Sequence, residues 1–357
     1  MPRPSQSGLL EPDVSANRLP RPAFVLIAAM LAACGAGSMP SPTVPPQSSP
    51  SLPPAPAATT ASVAPSREPS AELPINLIDD EGTAVTLAAA PRRIVSLTPA
   101  QTEILFALGA GDQLVGTVED PVRYPPAVAG VPTVGTFDDP DVEAIIGADA
   151  DLVIAGGNGA TPPAVIDRLR SLGVPVIVVY APTVAAVLED IRLTGAAIGG
   201  SAQAATLVTS MTAAIDRVAA ATTAAPKPRV FYETGDQPSI YGIADDSVYA
   251  EMIELAGGSP ITTGSASNWE MPVETLIAAD PEVIVLGDSA YGVTAEIVAG
   301  RPGWATMSAV RTGAIRPIND ILVTRPGPRL VEGLRLLAAA IHPELALPSI
   351  APPPSGG

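Results

Sequence analysis

The sequence predicts an α/β protein of two similar lobes, each with a central, mainly parallel β-sheet flanked by helices, joined by one long α-helix. Three observations predict it. From Leu73 onward, short runs rich in Val and Ile alternate with helical patterns, as in βα units whose sheet is covered by helices. One phrase occurs twice, as "VEAIIGADADLVI" at 142–154 and "VETLIAADPEVIV" at 273–285. Between the copies, an Ala-rich stretch begins at Ser201 and is stopped by Pro226 and Pro228. At about 1.5 Å per residue it is long enough to bridge two lobes.

In the N-terminal lobe (73–200), "RRIVSL" reads as a buried strand and "TPAQTEILFALGAG" as a helix, with Thr98 as cap, Pro99 in the first turn and Gly109 near the end. "DQLVGTV" and "VPTVG" follow. In the first repeat phrase, Val142 to Ala148 has helical spacing, Asp149 and Ala150 turn, and "DLVI" enters the sheet. Glu143 falls in the first turn of that helix, where the helix dipole favours a carboxylate. The helix "PPAVIDRLRSLG", the strand "VPVIVVY" and a further helix complete the lobe. The connecting helix spans 201–225, with Ser201 as its N-cap. The C-terminal lobe (226–345) restarts with the strand "RVFYET" and continues through "PSIYGI" and the helix "DSVYAEMIELAGG", ended by Gly257-Gly258. The second phrase, the strand-like "GAIRPIN" and the helix "PRLVEGLRLLAAAIHPE" follow.

The two ends read differently. Residues 1–33 form a signal peptide: Arg18 and Arg21 precede an apolar run, Ala23 to Ala33, far shorter than the roughly 20 residues that span a bilayer. The run ends in "LAACG", which resembles the lipobox of bacterial lipoproteins and implies cleavage before Cys34 and lipidation of its thiol. Residues 34–72, rich in Pro, Ser, Ala and Thr, form a disordered tether, and 346–357 a frayed tail. Cys34 is the only cysteine, so no intramolecular disulfide can form. The net charge of -17, from 36 acidic and 19 basic residues, repels phosphate backbones and disfavours nucleic acid as a partner.

"RRIVSLTPAQTEILFALGAGDQLVG", "VPTVGTFDDPDVEAIIGADADLVIAGG", "YAEMIELAGGSPI" and "TRPGPRLVEGLRLLAAAIHPE" together resemble the periplasmic substrate-binding proteins of cobalamin and iron-siderophore/haem ABC importers, most of all the cobalamin-binding members and their lipoprotein relatives. The resemblance covers about Leu73 to Glu344. It implies a ligand cleft between lobes that close only slightly about the long backbone helix. It also implies a surface glutamate on each lobe that docks on arginines of a permease dimer, itself powered by a separate ATPase. Glu143 and Glu274 occupy those positions, and two equivalent carboxylates suit a partner with twofold symmetry.

Ligands of α/β lobes bind beyond the carboxyl ends of the strands. Aromatic residues make up only 3% of the chain, and Tyr124, Phe137, Tyr241, Trp269 and Tyr291 all fall in expected loops, where flat side chains can cover a macrocycle. Phe137 and Trp269 precede the two repeat phrases by similar distances and are candidate opposing walls of the cleft; the other reading makes them lids over each lobe's core. Phe106, Tyr249 and Trp304 read as packing residues. Arg325 and Arg123 are candidates for gripping an anionic group, whereas Arg329, opening the last helix, reads as structural. Siderophore binders of the resembled group use such basic residues and cobalamin binders rely more on aromatics, which favours a corrinoid, with an iron-siderophore or haem receptor of the same class as the alternative.

Other classes fit less well. Zinc and manganese receptors draw on several histidines, and the single one here, His342, reads as a cap or surface residue. A chelated metal needs no ligand from the protein, so no cofactor of its own is expected. One histidine and one cysteine exclude most catalytic triads, and neither G-x-S-x-G nor a phosphate-loop pattern occurs. A carboxylate-dependent extracellular enzyme is the remaining alternative. The expectation is a monomeric, exported receptor without catalysis, held at the cell membrane through its lipid alone and facing the periplasm or cell exterior.

Overall fold

The structure, a computed structural model, describes residues 73–350. The expected signal peptide, Cys34, the tether and the chain beyond Ile350 lie outside the described residues. The N-terminal lobe opens with an antiparallel hairpin that the sequence reading did not foresee, β1 (Ile75–Ile78) and β2 (Ala84–Leu87). There follow β3 (Ile94–Ser96), α1 (Pro99–Ala107), β4 (Leu114–Thr117), α2 (Val142–Gly147), β5 (Leu152–Gly156), α3 (Pro163–Ser171), β6 (Val176–Val179) and α4 (Val184–Ala197). The long helix α5 (Ser201–Thr222) leads into β7 (Arg229–Glu233), α6 (Val248–Leu255), β8 (Ser259–Ile261), α7 (Val273–Ala279) and β9 (Val283–Leu286). The C-terminal lobe ends with α8 (Ala295–Ala299), α9 (Ser308–Thr312), β10 (Ile315–Pro317), α10 (Ile321–Thr324) and α11 (Leu330–Ile341).

Each lobe holds a four-stranded sheet, and every pairing within these sheets is parallel. The strand orders are β4-β3-β5-β6 and β8-β7-β9-β10, the same topology twice. All residues of β5, β6 and β9 are buried, which is why these segments read as unbroken apolar runs rather than alternating ones.

The repeated phrase forms the same unit in both lobes. Helices α2 and α7 end in a turn whose aspartate, Asp149 or Asp280, has a left-handed backbone with φ of 48° and 47°, a conformation that Asp tolerates better than most residues. An arginine entering the neighbouring strand holds the end of each helix. The Arg93 guanidinium donates to Ala148 O at 2.6 and 2.9 Å, and Arg229 donates to Ala279 O and Asp280 O. The acid two residues after each turn aspartate accepts backbone N–H groups, Asp151 from Arg92 and Arg93 and Glu282 from Arg229.

Thr98 caps α1 as expected, its side chain accepting from Gln101 N–H. Ser201 does not cap α5: Gly200 stands at the cap and Ser201 is the first helical residue. Helix α5 packs on α4 of one lobe and α11 of the other. Besides this joining helix, the lobes share a single apolar core that runs from Val184, Val187 and Ile191 through Leu207, Met211 and Val218 to Ile253, Leu334 and Leu337. The chain expected to fray from residue 346 is packed as far as Ile350. Leu347 and Ile350 lie against this core, and Arg335 Nε donates to Pro348 O at 2.9 Å. Nor is His342 a surface residue: it ends α11 buried, with Nε2 3.2 Å from Gly257 O.

Candidate functional site

A cavity of about 850 Å³ lies between the lobes, near the upper end of the range for small-molecule sites. The N-terminal lobe lines it with the first turn of α1 (Thr98 to Gln101), Phe137, the loop Gly156–Ala160 after β5, the segment Val179–Pro182 after β6, and Asp190 of α4. The C-terminal lobe contributes Ser247 to Tyr249 at the start of α6, Trp269, Tyr291 and Thr324 to Pro326. The N-terminal lobe therefore presents the carboxyl ends of its parallel strands to the cavity, as the topology requires. Gly156 and Gly157 let the β5 loop pass close to its neighbours. A Cβ on Gly156 would meet Thr98 Cγ2 at 2.9 Å, and one on Gly157 would meet Tyr180 Cβ at 3.0 Å.

Of the aromatics singled out in the sequence, Phe137, Trp269 and Tyr291 line the cavity, and Tyr291 is 83% exposed. Tyr124 and Tyr241 do not. Tyr241 is bound into a loop ladder with Gly235 and Glu270, and Tyr124 lies beneath the Arg329 guanidinium, 3.9 Å from its ring centroid. Arg123 also lies outside this lining. Two aromatics of the cavity were missed. Tyr180 follows β6 directly, and its position at a strand's carboxyl end is a signal that could have found it; its hydroxyl accepts from Asn158 Nδ2 at 3.2 Å. Tyr249, read as a core residue, does pack against the core from the first turn of α6 and meets Trp269 in a T-shaped contact at 5.7 Å, but it also lines the cavity. Burial, followed by the nearby Tyr180 and Asp320, pushes its hydroxyl up to about 12. Phe106 and Trp304 are core residues as expected.

Arg325 lines the cavity but its charge is engaged. Its guanidinium donates to Asp120 at 2.6 and 2.8 Å and to Glu103 at 3.2 Å. Arg329 grips the same Glu103 with two bonds of 2.8 and 2.5 Å. Glu103 and Asp120 belong to the N-terminal lobe and both arginines to the other, so this buried cluster fastens the lobes at one edge of the cleft. A second tie is Val184 N–H, at the start of α4, donating to Glu251 of α6 at 2.6 Å. No basic side chain other than Arg325 lines the cavity among the described residues.

Glu143 and Glu274 stand in the first turns of α2 and α7, both exposed. Their equivalence follows from the shared helix-turn-strand unit.

The profile of the periplasmic binding protein family matches residues 94–321, more than half of the chain. The chain belongs to this family. Among relatives, this periplasmic binding protein is 32% identical over 276 residues to an uncharacterized ABC transporter substrate-binding lipoprotein, YvrC, of Bacillus subtilis, covering 76% of this chain and 86% of that protein. It is also 32% identical over 282 residues to a cobalamin-binding protein of Halobacterium salinarum, covering 75% of this chain and 74% of that one. Among solved structures, the periplasmic haem-binding protein RhuT of Roseiflexus sp. RS-1 superposes with a TM-score of 0.62 at 28% identity, covering 71% of this chain and 98% of that one. The periplasmic vitamin B12-binding protein BtuF of Vibrio cholerae, with a TM-score of 0.63 at 24% identity and coverages of 71% and 97%, shares the fold. Among the described residues of this periplasmic binding protein, no helix is long and apolar enough to cross a membrane.

Proposed function

We propose that this protein captures a corrinoid outside the cytoplasmic membrane and delivers it to the permease of an ABC importer. The observation that carries the ligand class is the cavity wall. Five aromatic side chains, Phe137, Tyr180, Tyr249, Trp269 and Tyr291, face a large space whose single lining arginine is already paired with two carboxylates. Flat apolar faces cover a macrocycle well. A ligand bearing several carboxylates would find no uncommitted cation in this wall, which counts against ferric siderophores and the propionates of haem. The relatives named for cobalamin and for ABC transport support the same reading. Haem is the second reading, and the likeness to RhuT favours it.

Docking is the role proposed for Glu143 and Glu274, one exposed carboxylate on equivalent helices of each lobe, set for a twofold-symmetric permease pair. Lipidation at Cys34 is the proposed means of anchorage. Equilibrium binding of cyanocobalamin, cobinamide, haem and several ferric siderophores tests the ligand class. A corrin should bind more tightly than the other classes; tighter binding of haem or a siderophore, or no binding at all, overturns the reading.

A further inference from the structure

The loop after β5 ends in a tight turn that sets one polar side chain at the cleft. Ala160 N–H donates to Gly157 O at 3.1 Å across Asn158 and Gly159, whose φ values of 54° and 80° are both left-handed, as in the type I′ turns that Asn-Gly favours. Gly157 N–H donates to Val179 O at 2.8 Å and Gly156 N–H to Thr161 Oγ1 at 3.0 Å, so the turn is fastened both to β6 and to its own base. Asn158 is exposed at the tip and lines the cavity. Its Nδ2 donates at 3.2 Å to the hydroxyl of Tyr180, which is 44% exposed and belongs to the same wall. That bond leaves the Tyr180 hydroxyl hydrogen and Asn158 Oδ1 without a partner among the described residues. Turned over, the amide would take the hydroxyl hydrogen on Oδ1 and leave Nδ2 and the hydroxyl oxygen instead. Either way, one donor and one acceptor remain side by side. Other neutral polar groups of the wall are engaged within it: Thr98 accepts the Gln101 N–H, Gln101 accepts from Thr194, Ser247 accepts the Ala250 N–H, and Thr324 donates to Asp320 O.

We propose that Asn158 and Tyr180 are specificity-determining residues of the cleft: together they hold a neutral primary amide on the rim of the ligand, giving one hydrogen bond to its oxygen and taking one from its nitrogen. A primary amide carries the matching acceptor and donor, so it satisfies both groups at once. A carboxylate in the same place has no hydrogen to give. It leaves the acceptor of the pair unsatisfied, and its charge gives up water without gaining a cation, because Arg325 is already paired. The inference rests on the corrinoid reading, since corrins carry peripheral amides, and it adds which chemical group on the rim is recognised and by which residues.

The test compares cyanocobalamin with its peripheral monocarboxylate derivatives, in which one side-chain amide is hydrolysed, on the whole protein and on Asn158→Gly and Tyr180→Phe. Glycine adopts the left-handed turn freely, so Asn158→Gly removes the amide and keeps the loop. Tyr180→Phe removes the hydroxyl and keeps both the ring and the backbone N–H that Asp80 accepts. The unaltered protein should prefer cyanocobalamin to at least one monocarboxylate by about 10-fold. Asn158→Gly should reduce that preference to within about 2-fold, the mark of a direct coupling between this side chain and that amide. Tyr180→Phe should weaken cyanocobalamin by about 10-fold. Thermal unfolding confirms that each variant folds. If Asn158 serves only the turn, Asn158→Gly leaves the selectivity unchanged; that result, or unchanged affinity after Tyr180→Phe, overturns the pair and leaves the corrinoid reading standing. A protein that binds no corrin at all overturns both.

Discussion

Glu103 shows how far one residue's role can lie from its place in the chain. It sits in α1, 3% exposed, and is held by Arg325 and Arg329 from the other end of the protein. Burial alone would lower the Arg329 pKa, but its bonds to Glu103 more than reverse this and keep the guanidinium charged. Tyr124 covers the far face of that guanidinium. Removing one member of a buried ion cluster leaves the others charged and unpaired. Glu103→Ala is therefore expected to destabilise the protein by about 3 kcal/mol, and Tyr124→Ala by about 1 kcal/mol through loss of the cation–π contact. Denaturant unfolding checks both, and a smaller effect for Glu103→Ala than for Tyr124→Ala would contradict the assignment. The sequence marks Arg329 as structural because it opens a helix, yet gives no sign of Glu103: local pattern carries no information about a partner more than 200 residues away. Tyr124 and Tyr241 were misplaced for a related reason, since a loop aromatic reads the same whether it faces a ligand, a guanidinium or its own lobe.

Elements were far more legible than partners. The repeated phrase announced a helix-turn-strand unit, and both copies fold as one, down to the left-handed aspartate and the arginine that holds the helix end. Buried parallel strands are readable because both faces must be apolar. Short elements such as β8, α8 and α9 were missed because three to five residues give no period. The two sheets also differ where their strands end. In the C-terminal lobe, β7 ends at Glu233, bound by Arg301 at 2.7 and 2.8 Å, and the turn after β9 buries Asp288 with neither carboxyl oxygen partnered. Burial, then the adjoining Glu233 and Asp236, pushes Asp288 up to about 7. Its ordinary value in the unfolded chain is about 3.9. Between about pH 4 and 7 the folded protein thus binds more protons than the unfolded one, and stability falls as the pH rises through that window and stays low above it. Asp288→Asn should remove most of this slope and raise stability at pH 7.5 by about 2 kcal/mol. Thermal or denaturant unfolding of both proteins from pH 4.5 to 8 measures it, and parallel curves would contradict the account.

At the scale of the whole molecule, the lobes share one apolar core and two polar ties besides the long helix, so a ligand meets a largely formed cleft. That arrangement also keeps the exposed Glu143 and Glu274 at a fixed spacing, as a rigid partner with two equivalent sites would require. Charge reversal at both is expected to abolish uptake and leave ligand affinity unchanged; retained uptake, or lost affinity, would count against docking. The family and the two-lobe plan were legible in the sequence from the order of its motifs. Which aromatics face the cleft was only partly so, because that depends on how the two lobes meet. The central claim is that a corrin occupies this cleft against Trp269. The other tryptophan, Trp304, is buried in the C-terminal lobe beneath Arg301. In the Trp304→Phe protein the remaining tryptophan fluorescence therefore reports on the cleft alone, and it should be quenched saturably by cyanocobalamin at one equivalent, with haem and ferric siderophores competing poorly. No saturable quenching by the corrin, or saturation by haem or a siderophore instead, would contradict the claim.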